Sequence, residues 1–135
     1  MSKALLIDPE RCTVTEIVLP DGAKAALAAM RDLIGCKGMD NRVIDDMHDS
    51  IWVDDLGLTS GRRVYAFKLS INPDPFAGRA IIVGADELGR EADVYITREF
   101  VARDIVWLGE IVPEVTWVPE ANGMRAVVTY ARPKA

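Results

Sequence analysis

The side chains of this sequence best suited to chemistry cluster around its single histidine. His48 lies among Asp45, Asp46 and Asp49, with Asp54 and Asp55 a few positions further on. A hairpin that drew the two aspartate pairs together would collect imidazole and carboxylate donors, the set that divalent cations take. The spacing does not follow a metal motif, since there is no His-Glu-x-x-His and the calcium-loop pattern lacks its glycine and terminal glutamate. The plainer reading is a solvated acidic turn, and a third is an acidic contact surface for a basic partner. No metal and no cofactor is expected.

Other constellations fall short of catalysis in the same way. The loop Gly84-Ala85-Asp86-Glu87-Leu88-Gly89-Arg90-Glu91 spaces its glycines like a phosphate loop but lacks the Lys-Ser/Thr pair, and its two acids would repel phosphate. Its glycines are expected to serve a turn after a buried strand. A serine hydrolase would need a Gly-x-Ser-x-Gly elbow and a base away from the acidic turn. Cys12 has no base near it in sequence, and Cys36 follows Gly35 at an expected helix C-terminus, where the dipole raises a thiol pKa. Nine aromatic residues are few for a sugar-stacking cleft. The chain is therefore expected not to be an enzyme.

The 135 residues suffice for one core, with 50% hydrophobic and 27% charged residues and a formal net charge of −5. That balance excludes a disordered, collagen-like or coiled-coil chain. Residues 41–61 hold one basic side chain, Arg42, against Asp45, Asp46, Asp49, Asp54 and Asp55, so most of the net charge sits in one segment. With no basic run, direct nucleic-acid binding is not expected. No apolar stretch is long enough to span a bilayer, and the opening run is cut at Asp8. Together with two cysteines and no secretory signal, this points to a cytoplasmic protein without membrane association.

The elements that must position these residues follow from periodicity. Ala4–Ile7 and Thr13–Val18 read as successive strands or a hairpin. Asp21-Gly22 offers a helix start, Ala23, Leu27, Met30 and Ile34 share one face, and Gly35 ends a helix over 23–34. Strand patterns follow at Arg42–Asp46 and Ile51–Asp54 around a turn at Met47–Ser50, then at Val64–Leu69 and Arg79–Gly84. The connection after Gly84 leads to Asp93–Ile96. Thr97 is a candidate N-cap for a short helix over 98–104, and Ile105–Leu108 reads as buried. Asn122-Gly123 predicts a two-residue type I′ hairpin. That turn sets Glu120 opposite Arg125, Trp117 opposite Val128, Thr116 opposite Thr129 and Val115 opposite Tyr130. Pro113 and Pro133 would bound the strands.

Residues from about 3 to 108 resemble a family of small proteins of uncharacterised function from tailed phages and bacterial plasmids or other mobile elements. The resemblance is carried by Ala4-Leu5-Leu6-Ile7-Asp8-Pro9, by Ile51-Trp52-Val53-Asp54-Asp55-Leu56-Gly57-Leu58, and by Gly78-Arg79-Ala80-Ile81-Ile82-Val83-Gly84-Ala85-Asp86 with Gly89 and Asp93. It implies an accessory role in a bacterial host and brings no catalytic or binding residues with it. The C-terminal hairpin lies outside it.

The expectation is one α+β domain: a mostly antiparallel sheet of about six to eight short strands, a main helix packed on it and a short second helix. Residues 1–109 form the α+β body, and 110–135 a hairpin extension packed on or continuing it. Trp52 and Trp107 are expected in the core. Asp45, Asp46, His48, Asp49, Asp54, Asp55 and Trp117 are the candidate contact residues. The expected activity is binding a host macromolecule in counter-defence or host takeover. The alternative is a small-ligand binder that sequesters a nucleotide-like signal between helix and sheet, with a small enzyme third. The hairpin offers an edge for a homodimer or a protein partner.

Overall fold

Two stretches, Ala4–Ile7 and Ala80–Val83, are apolar at every position, so a strand built from either must be covered on both faces. The computed structural model, which describes residues 1–44, 49–59 and 61–133, shows how this is met. The first sheet has the order β2-β1-β7-β4-β3 and is antiparallel throughout. Its strands are β1 (Ser2–Asp8), β2 (Thr13–Leu19), β3 (Met39–Val43), β4 (Ser50–Asp54) and β7 (Ala80–Ala85). On one face, Ala4, Leu19 and Ile81 pack against Ala26, Met30 and Ile34 of helix α1 (Ala23–Ile34). On the other, Leu5, Ile7, Ile51, Ala80 and Ile82 pack against Phe67, Leu69 and Phe76 and against Val101 of helix α2 (Arg98–Asp104).

Phe67 and Phe76 belong to a second antiparallel sheet, ordered β10-β9-β5-β6. It comprises β5 (Val64–Lys68), β6 (Phe76–Ala77), β9 (Val106–Glu120) and β10 (Gly123–Ala131). The expected single sheet is thus two, because a layer was needed on the far side of β1 and β7. The strands number ten among the described residues, since β6 and β8 (Glu91–Ala92) are two-residue pieces. The chain is one α+β domain, and β9 passes through residues 109 and 110 as a single strand. No helix among the described residues is long and apolar enough to cross a membrane.

Both helices span the residues expected of them. Gly35 closes α1 in the left-handed conformation at φ 79°, its amide donating to the Arg31 carbonyl at 2.8 Å, and Arg79 Nη1 donates to the Leu33 carbonyl 2.9 Å away, so two of the last turn's acceptors are met. The Thr97 hydroxyl accepts the Phe100 amide at 3.1 Å and caps α2. The buried stripe of α1 differs from expectation at its start: Ala26, Met30 and Ile34 are covered, whereas Ala23 is exposed and Leu27 half-buried.

Several strand expectations are corrected. The third strand is Met39–Val43 rather than Arg42–Asp46, of which Asp45 and Asp46 lie outside the described residues. Gly84 sits inside β7, not in a turn. A Cβ there would come 2.3 Å from the Asp93 carbonyl oxygen, so glycine lets residue 93 cross the strand. Residues 93–96 are held by single hydrogen bonds instead of a ladder, including Lys3 N to Asp93 Oδ1 at 2.8 Å. Val106 is exposed, and Trp52 and Trp107 are half-buried at the margins of the two core clusters. Pro113 and Pro119 both lie within β9, opposite Tyr130 and Met124. A proline fits a strand only where its missing donor points away from the partner, so both nitrogens face the edge of β9 that β10 leaves free.

The hairpin turns one residue early. Gly123 pairs with Glu120, which sets Trp117 opposite Ala126, Val115 opposite Val128 and Thr116 opposite Val127. A type I′ turn needs positive φ at both central residues. Among the described residues only Cys12 of the non-glycines has it, so Asn122 does not, and the turn residues are Ala121 and Asn122. The glycine follows the turn with φ 133° and opens β10. The slip amounts to two positions, so each side chain keeps the face it was expected to occupy, and Arg125 still reaches Glu120 as a diagonal ion pair.

Candidate functional site

The three expected contact residues Asp54, Asp55 and Trp117 come together in one groove, with the C-terminal ribbon as one wall and the end of β4 as the other. The pairing of β5 with β9 ends at Val64 and Ile111, and beyond that point β9 pairs with β10 alone. The register puts Pro113, Val115, Trp117 and Pro119 on one face with Tyr130, Val128, Ala126 and Met124. The opposite face carries Glu114, Thr116, Glu120, Arg125 and Thr129 among three valines. The first of these faces is apolar along its length and only half covered: Trp117 and Met124 are each 60% exposed and Tyr130 39%.

Val115, Trp117, Ala126 and Val128 line a groove of about 180 Å³ whose far side is acidic. Among the described residues, Asp40, Asp54, Asp55 and Asp74 face it against one cation, Arg42. Local hydrogen bonding explains where the central pair sits. Asp54 Oδ1 accepts the Leu56 amide at 3.0 Å and the Asp54 carbonyl accepts the Gly57 amide at 3.2 Å, which turns the chain sharply after β4. The Asp55 amide donates to the Gly38 carbonyl at 3.2 Å, and its carboxylate lies where a Cβ on residue 38 would be, 2.5 Å from Oδ2. Both carboxylates therefore project from a fixed turn. Their field is felt nearby: the Cys36 thiol has its pKa pushed up, first by burial and then by Asp54 and Asp55, with Arg31 opposing.

Asp49 does not join them. It is fully buried, and its two carboxylate oxygens accept the amides of Tyr95 at 3.0 Å and Ile96 at 2.7 Å. A side chain in that position is a staple between β4 and the approach to α2, and it presents nothing to a partner. Asp45, Asp46 and His48 lie outside the described residues. Among the described residues no group of three or more His, Cys, Asp or Glu side chains is placed to hold a metal ion.

The loop after β7 is a hairpin turn built around one aspartate. Asp86 Oδ1 accepts the amides of Leu88 and Arg90, each at 2.9 Å, and Oδ2 accepts Arg90 Nε at 2.9 Å. These bonds hold the Asp86 carboxyl below its ordinary pKa, the Arg90 amide contributing most. A carboxylate that fills the loop's own amides leaves them no role in cradling phosphate.

Sequence reasoning missed the groove residues Asp40, Asp74 and Ala126, and it named Val115 and Val128 as paired hairpin residues without placing them opposite the aspartates. The alternation Pro113, Val115, Trp117, Pro119 was visible as one strand face. Asp40 and Asp74, distant in sequence, carried no signal that they would share a wall. No family model, no curated protein and no solved structure matches the chain.

Proposed function

We propose that this is a binding protein that takes a basic, apolar-anchored segment of a protein partner into the groove beside its C-terminal ribbon. The observation that carries this reading is the apposition, among the described residues, of an exposed apolar strand face, centred on Trp117, with four carboxylates and a single arginine across about 180 Å³ of open space. Aromatic and aliphatic anchors provide affinity at such a surface, and the opposed charge provides steering and register. In this reading the partner is a host macromolecule and the setting is counter-defence or host takeover in the bacterial cytoplasm, as a resemblance to proteins of phages and mobile elements would imply. The chain acts in this reading without catalysis.

The test uses two synthetic peptides of equal length, one alternating Lys with Leu and one alternating Glu with Leu. Binding is followed by the fluorescence of Trp117 in a Trp52→Phe, Trp107→Phe background. The lysine peptide binds, and its affinity falls with salt. Asp54→Asn with Asp55→Asn, or Trp117→Ala in the unsubstituted chain followed by calorimetry, weakens binding about tenfold or more, while Glu87→Gln outside the groove leaves it unchanged. Equal binding of both peptides, or indifference to the groove substitutions, refutes the reading.

A second copy is the other partner that an observation favours. Pro113 and Pro119 remove donors from the free edge of β9, whereas β10 holds no proline from Gly123 to Ala131, so its outer edge remains competent to pair. Light scattering that reports a dimer, abolished by Val128→Pro, whose N–H points to that outer edge because its partner Val115 is in step with Pro113 and Pro119, favours this alternative.

A further inference from the structure

The apolar stripe of α1 continues past the part that the sheet covers. Met30 and Ala26 are 4% and 6% exposed, but Leu27 is half-buried and Ala23 exposed, and all four border a cavity of about 210 Å³ between the first half of the helix and the sheet. The space exists because both sides are built from small residues there. Ala23 and Ala26 face it from the helix, and Gly84 and Ala92 from the sheet. Larger side chains, Leu19, Trp52 and Val83, surround it without filling it.

We infer that this cavity is a binding site for a small uncharged aromatic molecule, a single substituted ring. Size argues for the ring: an apolar cavity of roughly 150 Å³ admits benzene and stays dry otherwise. The lining argues for the absence of charge. The indole N–H of Trp52 donates to Ser50 Oγ at 3.2 Å and is engaged within the protein, so its ring offers hydrocarbon to the cavity. Among the described residues, the charged side chains that border the cavity are one cation, Lys3, and one anion, Glu91, both exposed, and they favour neither sign of ligand. A phosphate-bearing ligand would find no arginine among the described residues lining this cavity. This site is separate from the ribbon groove and shares no lining residue with it among the described residues.

Toluene is the probe, titrated into ¹³C-methyl-labelled protein up to its solubility limit. Methyl signals of Ala26, Met30 and Ala92 shift saturably, and those of Ala126 in the ribbon do not. Benzoate binds at least tenfold more weakly than toluene. Ala23→Leu, at an exposed position on the mouth, fills the entrance and weakens toluene at least tenfold while the thermal midpoint is kept or raised. Trp117→Ala leaves toluene binding unchanged, so the outcome is independent of the ribbon groove. Absence of saturable shifts, equal affinity for benzoate, undiminished binding to Ala23→Leu, or shifts centred on the ribbon would each overturn the proposal.

Discussion

Replacing Asp49 tests most directly the claim that this acid is a structural staple. The side chain is fully buried and accepts two backbone amides, Tyr95 at 3.0 Å and Ile96 at 2.7 Å. Hydrogen bonds to a charged acceptor contribute about 1.5–3 kcal/mol each, and a buried amide left without a partner costs about 1–3 kcal/mol. Asp49→Asn keeps one acceptor and turns an N–H toward the other amide, so a loss of about 3 kcal/mol is expected. Asp49→Ala removes both acceptors and is expected to lose about 5 kcal/mol. With an unfolding entropy of about 2.1 cal/mol/K per residue, these correspond to falls of about 11 and 18 °C in the melting temperature. Thermal and urea unfolding measure the loss, and hydrogen exchange locates it, because the amides of residues 95 and 96 become the first in the region to exchange. Asp55→Asn, an exposed acid of the same segment, is the control and stays within about 0.5 kcal/mol. If Asp49→Asn matches the control, the two amides do not depend on the carboxylate and the staple argument fails.

Other consequences are open to simpler measurements. Asp54→Asn with Asp55→Asn removes two of the influences that raise the Cys36 pKa, so alkylation of Cys36 at pH 8 accelerates while that of Cys12 is unchanged; no change in rate would separate the acidic turn from the thiol. Gly84→Ala forces a methyl to within 2.3 Å of the Asp93 carbonyl oxygen, so it loses about 2–3 kcal/mol in urea unfolding and frees residues 91–94 from exchange protection. Asp86 has a lowered pKa in the folded chain, so its contribution to stability is complete above the ordinary carboxyl pKa and is lost as pH falls through the lower folded value. Asp86→Asn should therefore flatten the acid limb of the stability profile below about pH 4, and an unaltered limb would contradict the loop geometry.

What the sequence revealed depended on how local the deciding interaction is. Both helices were legible to the residue because Gly35, Thr97 and the apolar spacing of α1 act within one or two turns. The division into two sheets was not, since β7 pairs with β1 some 75 residues upstream and β5 with β9 some 45 residues downstream, and alternation within a strand does not name its neighbour. Asp49 shows the same limit in one side chain. Its position among other aspartates suggests a solvated turn, but the amides that bury it lie 46 and 47 residues away. The Asn-Gly pair failed for a different reason: glycine serves equally inside a primed turn and just after an ordinary one, and the two-position slip leaves every side chain on the same face.

The face that Trp117 occupies is decided ten residues earlier. Phe67 pairs with Trp107 and Ala66 with Gly109, so Leu108 is an extra residue in β9, and Gly109 takes φ 68° to accommodate it. The bulge inverts the alternation beyond it: Leu108 and Ile111, three apart, share one cluster with Ala66, while Trp107 packs with Phe67 on the other side of the sheet. Every odd residue from Ile111 onward follows Ile111. Without the extra residue, Glu114, Thr116 and Val118 would line the groove and the row of Pro113, Val115, Trp117 and Pro119 would face away from the acidic wall. Aromatic character at position 117 is visible in any reading of the sequence, but its apposition to Asp54 and Asp55 requires the bulge. Where a strand carries an internal glycine, the two candidate faces beyond it have to be weighed together, because the glycine can exchange them.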